Sequence, residues 1–163
     1  MIRATSVQTS GSWDATTAAD RIVLSHLERR RRRLVMRTAG GGDFLLDLPA
    51  APVLRHGDAL VLDDGRMVAV EAAPEPVADI RAGDPHLLLR LAWHLGNRHV
   101  AVEIEVDRIR IARDHVLEAM AMRLGAGVTH VEAPFDPEPG AYASGQDHEH
   151  GPGHAAHGHG RGG

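Results

Sequence analysis

The second half of the chain constrains the fold most, because its hydrophobic period changes with almost every stretch. "VADI" (Val77 to Ile80) reads as a short strand. Asp84 then stands as a helix N-cap with Pro85 at the first helical position. Leu87, Leu88, Leu91 and Leu95 recur at helical spacing until Gly96, which is placed to end the helix. Val100, Val102, Ile104 and Val106 alternate with Ala101, Glu103, Glu105 and Asp107, the period-2 pattern of a half-buried strand. "RIRIA" is another strand. Asp114 caps a second helix with Val116, Leu117, Met120 and Leu124 inward, Gly125 ends it, and "VTHVEA" closes the set. The order β-α-β-β-α-β predicts a ferredoxin-like domain.

The first half is punctuated differently. "RLVMRT" and "FLLDL" flank the glycine-rich "AGGGD", and "ALVL" and "RMVAV" flank Asp63-Asp64-Gly65, both hairpin signals. From Ile22 to Ala73 this predicts a small antiparallel sandwich of about five or six strands. The boundary falls at "AAPEP" (Ala72 to Pro76), where two prolines resist both a helix and a central strand. The expected class is therefore α+β. An N-terminal antiparallel β domain over residues 1–73 precedes a ferredoxin-like domain over 74–142. Residues 143–163 hold seven glycines and five histidines, bury almost nothing, and are expected to be a disordered His- and Gly-rich tail.

Composition narrows the chemistry. There is no cysteine, which removes disulfides, thiol catalysis and thiolate metal sites together. All 18 basic residues are arginine, so a Schiff-base lysine and the phosphate-binding lysine of a P-loop are excluded. The net charge of −4 supplies no global field for nucleic acid. No apolar run approaches membrane-spanning length and no signal core opens the sequence, so the expectation is a cytoplasmic protein with no membrane or nucleic-acid partner. No serine–histidine–acid order, HExxH or paired-carboxylate pattern stands out, and the expectation is not an enzyme. Five consecutive arginines, Arg29 to Arg33, lack interleaved aromatics for base stacking and read as a solvated strand edge or turn, with an acidic partner surface as the alternative.

Histidine is the anomaly, with 12 in the chain. His26, His56, His86 and His130 lie in separate elements without ligand spacing and read as surface or structural groups. His94 suits the last turn of its helix, where a cation favours the dipole. His99 differs. A hairpin centred on Asp107 sets residue 99 opposite residue 115, so His99 and His115 share one end of the sheet to within a residue or two. Two imidazoles do not complete a transition-metal site, but a two-fold axis would bring in a second His99. In the tail, His148, His150, His154, His157 and His159 offer neutral imidazoles to nickel, copper or zinc, and the affinity order leaves the choice among these ions open.

"HLGNRH" (His94 to His99), "RDHVLEAM" (Arg113 to Met120), "LGAGV" (Leu124 to Val128) and "APFDPEPGAY" (Ala133 to Tyr142), in this order and spacing, resemble the UreE family of nickel metallochaperones that serve urease maturation. The likeness runs from about Arg55 through Tyr142 and includes "HGDALVLDDG" and "VEAAPEPV". It implies a homodimer formed through the ferredoxin-like domain and delivery of Ni2+ to apo-urease together with a GTPase partner, UreG. It also implies that His99 is an interface ligand, one from each subunit, and that His115 belongs to a peripheral metal position. In this sequence Arg113 stands where some members place another histidine. A guanidinium cannot coordinate, so a separate peripheral site is expected to be weak or absent. Cu2+ or Zn2+ is expected to compete with Ni2+. Two other functions remain open: a general cytosolic divalent-metal buffer, and a metal-independent peptide-binding chaperone module that uses exposed edges of the β domain.

Overall fold

A computed structural model describes residues 1–139. The expected tail, and the stretch 140–142 before it, lie outside the described residues. The strands of the first half are β1 (Arg3–Gln8), β2 (Asp20–Leu24), β3 (Arg33–Arg37), β4 (Asp43–Asp47), β5 (Ala59–Leu62) and β6 (Met67–Ala72). They form one sheet in the order β2-β6-β5-β1-β4-β3. Both expected hairpins are present: Met36 pairs with Phe44, and Val61 with Met67. Gly65 takes φ 86 in the second turn, a conformation that a side chain would strain.

Two features of this half differ from the sequence reading. First, β1 enters the middle of the sheet, antiparallel to β5 and parallel to β4, while β2 pairs parallel with β6. The sheet is mixed rather than wholly antiparallel. Neither β1 nor β2 belongs to a tight hairpin, so local turn signals carried no information on its direction. Second, the six strands form a single curled sheet instead of two stacked ones. The Ala39 N–H donates to the Arg21 carbonyl at 2.8 Å, linking the β3–β4 turn to β2 at the far edge. One cluster of buried side chains, including Ile22, Met36, Phe44, Leu46, Leu60 and Val70, fills the inside of the curl.

The second half contains β7 (Pro74–Arg81), α1 (Pro85–Gly96), β8 (Val102–Ile104), β9 (Ile109–Ala112), α2 (His115–Arg123) and β10 (Gly127–Pro134). Its sheet has the order β10-β7-β9-β8 with every pairing antiparallel, the ferredoxin-like arrangement. Asp84 and Asp114 cap the two helices through their side chains, accepting from Leu87 N–H and from Val116 and Leu117 N–H. Leu91, Leu95, Leu117 and Met120 pack on Ala78, Ile80, Ile109 and Ile111 to form a second core.

The prolines of "AAPEP" do not break the chain. Only Ala73 separates β6 from β7, and β7 begins on Pro74. β10 pairs with β7 along its whole length, including Pro74 and Pro76, whereas β9 pairs only from Val77 to Ile80. The prolines thus lie where β7 has one neighbour, so the N–H groups they lack are not needed on the other side.

The arginine run also departs from expectation at its first member. Arg29 lies in a short 3-10 turn, Glu28–Arg30, and is fully buried. Its guanidinium donates to the Leu54 carbonyl at 3.1 Å, to Asp136 at 2.6 Å and to the Phe135 carbonyl. Arg55 holds the other oxygen of Asp136 at 3.2 Å, and Asp136 N–H donates to Glu103. Phe135 is buried edge-on to His26, ring centres 5.3 Å apart. "PFDPEP" is therefore the seam that ties the chain leaving β10 to the first sheet. A run of five like residues gave no sign that one of them faces inward.

Candidate functional site

The corner between α1 and β8 is built by hydrogen bonding at the end of the helix. His99 N–H donates to the Gly96 carbonyl at 3.0 Å, and Val100 N–H reaches back to the Leu95 carbonyl at 3.4 Å. This pair of bonds is the Schellman ending, with Val100 joining Leu95 in the apolar cluster. The motif needs a left-handed residue after the helix, and here that residue is His99, at φ 54. Among the described residues it is the one non-glycine with positive φ.

The end of α2 shows what the same motif looks like with its usual residue. Gly125 N–H donates to Met122, Ala126 N–H donates to Ala121, and Gly125 sits at φ 99. Gly96, placed by the sequence to end the helix, is its last helical residue, and Asn97 is right-handed at φ −62. The left-handed conformation costs a side-chain-bearing residue about 1–2 kcal/mol, and such positions cluster where function requires them. Arg98 supports the corner by donating to the His94 carbonyl at 2.9 Å. The His94 ring packs edge-on against Trp93 at 5.0 Å.

His99 is exposed, and so is His115, the first residue of α2. The observed hairpin pairs Glu103 with Arg110 and Ile104 with Ile109. Continued outward, that register sets residue 99 opposite 114 rather than 115, one residue from the expected register. The strand itself is also shorter than the alternation suggested, with β8 covering Val102–Ile104.

Around His115 the polar groups are already engaged. Arg113 Nε donates to Glu118 at 2.9 Å, Asp114 N–H donates to the same oxygen, and His130 Nε2 lies 2.7 Å from the other oxygen. Glu118 is buried, which alone would raise its carboxyl. The hydrogen bonds from His130, Arg113 and the Asp114 backbone outweigh that and hold it below the ordinary value. The remaining histidines are placed elsewhere. His56 Nδ1 accepts from Ala72 N–H at 3.2 Å, His86 is exposed on the first turn of α1, and His26 is buried at the seam. His148, His150, His154, His157 and His159 lie outside the described residues. Among the described residues, no three of His, Asp and Glu converge on a point that could hold an ion.

Two family models match the chain: UreE urease accessory protein, N-terminal domain, over residues 2–73, and the C-terminal domain of the same family over 75–161. The chain belongs to the UreE family of urease accessory proteins. A relative named urease accessory protein UreE from Bradyrhizobium sp. (strain ORS 278) is 57% identical over 151 residues, covering 93% of this chain and 71% of the relative. One of the same name from Chelativorans sp. (strain BNC1) is 52% identical over 157 residues, covering 96% of this chain and 94% of its own. UreE proteins are accessory proteins, not enzymes. No helix among the described residues is long and apolar enough to cross a membrane.

Proposed function

We propose that this UreE chain carries Ni2+ to apo-urease, binding the ion at a site centred on His99 and passing it on with the help of a GTPase, UreG. The observation that carries the reading is the corner itself. A helix ending that glycine would satisfy at lower cost is closed by an exposed imidazole, which the fold does not need. Because no complete donor set forms within residues 1–139, a second His99 or the tail imidazoles must supply the rest. Leu89 and Trp93 stand 70% and 64% exposed, one turn apart on α1, leading to the same corner. This exposed apolar strip supports a homodimer in which a second copy covers it and one ion is held between two copies of His99. His115, one helix away, adds a peripheral donor.

The cargo must leave again, and imidazole and oxygen ligands exchange faster than a closed thiolate cage would. Nothing in the chain provides for nucleotide hydrolysis, which the proposal assigns to the partner. Cu2+ and Zn2+ compete for the same imidazoles, and the working place is the cytoplasm, where the ion is delivered. Deleting residues 143–163, with His148, His150, His154, His157 and His159, separates a carrier from a buffer. Calorimetric titration should show at least one nickel ion fewer per dimer, with a tight site remaining and urease activation in a reconstituted assay retained. Loss of all tight binding would mean that the tail stores metal and the folded part only anchors it.

A further inference from the structure

A cleft of about 790 Å³ opens at the seam of the two halves. Pro52, Val53, Pro137 and Pro139 make its apolar wall, and Arg30, Arg55, Asp58 and Glu138 stand on its polar side, where Arg55 is held by Asp136 and Asp58 accepts from the Ser10 and Arg55 N–H groups. The balance of charge along this edge is uneven. Arg29 is consumed inside the seam and Arg33 lies 3.7 Å from Asp47, whereas Arg30, Arg31 and Arg32 pair with no carboxylate among the described residues. Leu27 and Val53, 72% and 40% exposed, border the same strip. His26 lines the floor, and its buried Nδ1 has no hydrogen-bond partner. His56 is unsuited to metal in its observed state, because its Nδ1 lone pair already accepts from Ala72 N–H and the proton must sit on Nε2.

We infer that this cleft docks an extended acidic segment of a partner protein, with side chains that alternate between carboxylates and apolar groups. Carboxylates meet the unpaired guanidiniums of Arg30 to Arg32, which can bind them in bidentate fashion. The apolar side chains cover Val53 and the proline wall, which offers no N–H of its own. The strained corner accounts for cargo; the arginine strip accounts for recognition, and the two are separable because the cleft holds no ligand the cargo needs. Binding of this kind is steered by charge and weakens with salt.

The test uses the full chain without metal, so that its outcome is independent of the nickel reading. Fluorescence anisotropy is followed for two labelled ten-residue probes, one alternating Glu and Leu and one alternating Lys and Leu. The acidic probe should bind one site per chain and the basic probe should not. Arg30→Glu should weaken the acidic probe at least tenfold, as should Val53→Asp, while circular dichroism of both variants stays that of the parent. Equal binding of the two probes, or unchanged binding after Arg30→Glu, would overturn the inference. So would a tenfold gain in affinity on deleting residues 143–163, since the cleft would then belong to the chain's own tail.

Discussion

Replacing His99 with glycine should leave the metal-free protein more stable than replacing it with alanine, which reverses the usual ranking of the two residues. At an ordinary helical or extended position, glycine loses about 0.5–1 kcal/mol to alanine through the extra freedom of the unfolded chain. At φ 54 the alanine Cβ carries the left-handed penalty of about 1–2 kcal/mol, and glycine does not. The difference leaves His99→Gly ahead of His99→Ala by about 0.5–1 kcal/mol. Exposed His99 supports little packing, so His99→Gly should equal or exceed the parent as well. For a chain of this length unfolding as one unit, about 1 kcal/mol corresponds to roughly 2–4 °C in Tm. Urea unfolding of the three metal-free proteins, followed by tryptophan fluorescence, reads the order from the midpoints at constant slope. If His99→Gly is the least stable of the three, the corner is not strained and the argument that His99 is kept for its imidazole fails. Gly125→Ala provides the matched control: it places a Cβ in the same motif at φ 99 and should destabilise by a similar amount.

Other expectations follow from the seam and the peripheral position. Arg29→Ala leaves two buried carbonyls without donors and weakens the hold on Asp136, so unfolding should become easier by about 3–5 kcal/mol. Trp13 and Trp93, one in each half, should then report separate transitions, and a single unshifted transition would show that the seam contributes little. His26 is held below its ordinary pKa by burial, then by Arg30 and Arg29. The unfolded chain therefore takes up the proton first. Stability should be fully present above about pH 6.5 and should fall as the pH drops from there toward the folded-state value. His26→Leu should flatten that part of the pH profile, and an unchanged slope would refute the assignment. Arg113→His should strengthen nickel binding next to His115, measured in a form lacking residues 143–163, and His115→Ala should weaken it modestly. Equal affinities across those variants would remove His115 from the metal's reach.

The ferredoxin-like half was legible because each of its elements carries its own punctuation: Asp84 with Pro85, Asp114, and the alternation from Val100. The hairpins of the first half were legible for the same reason. The unread features are long-range. The parallel pairings of β1 and β2 join strands far apart in sequence, and no turn links them to their neighbours. Arg29 is buried because Phe135 and Asp136, over a hundred residues away, supply its acceptors, and no local pattern marks that. At the corner, sequence located the histidine and marked Gly96 as the end of the helix, but not that His99 itself takes the left-handed position. Glycine is the usual occupant of the left-handed position, and the helix ran on by one more turn of hydrogen bonding before using it.

Nickel titration of the His99→Ala variant beside its parent, both ending at residue 142, tests the central claim most directly. The parent should bind one ion tightly per dimer, with metal favouring the dimer by mass action. His99→Ala should lose that site while its folding and its circular dichroism remain. A tight site of unchanged affinity and stoichiometry in His99→Ala would place the metal elsewhere and contradict the account.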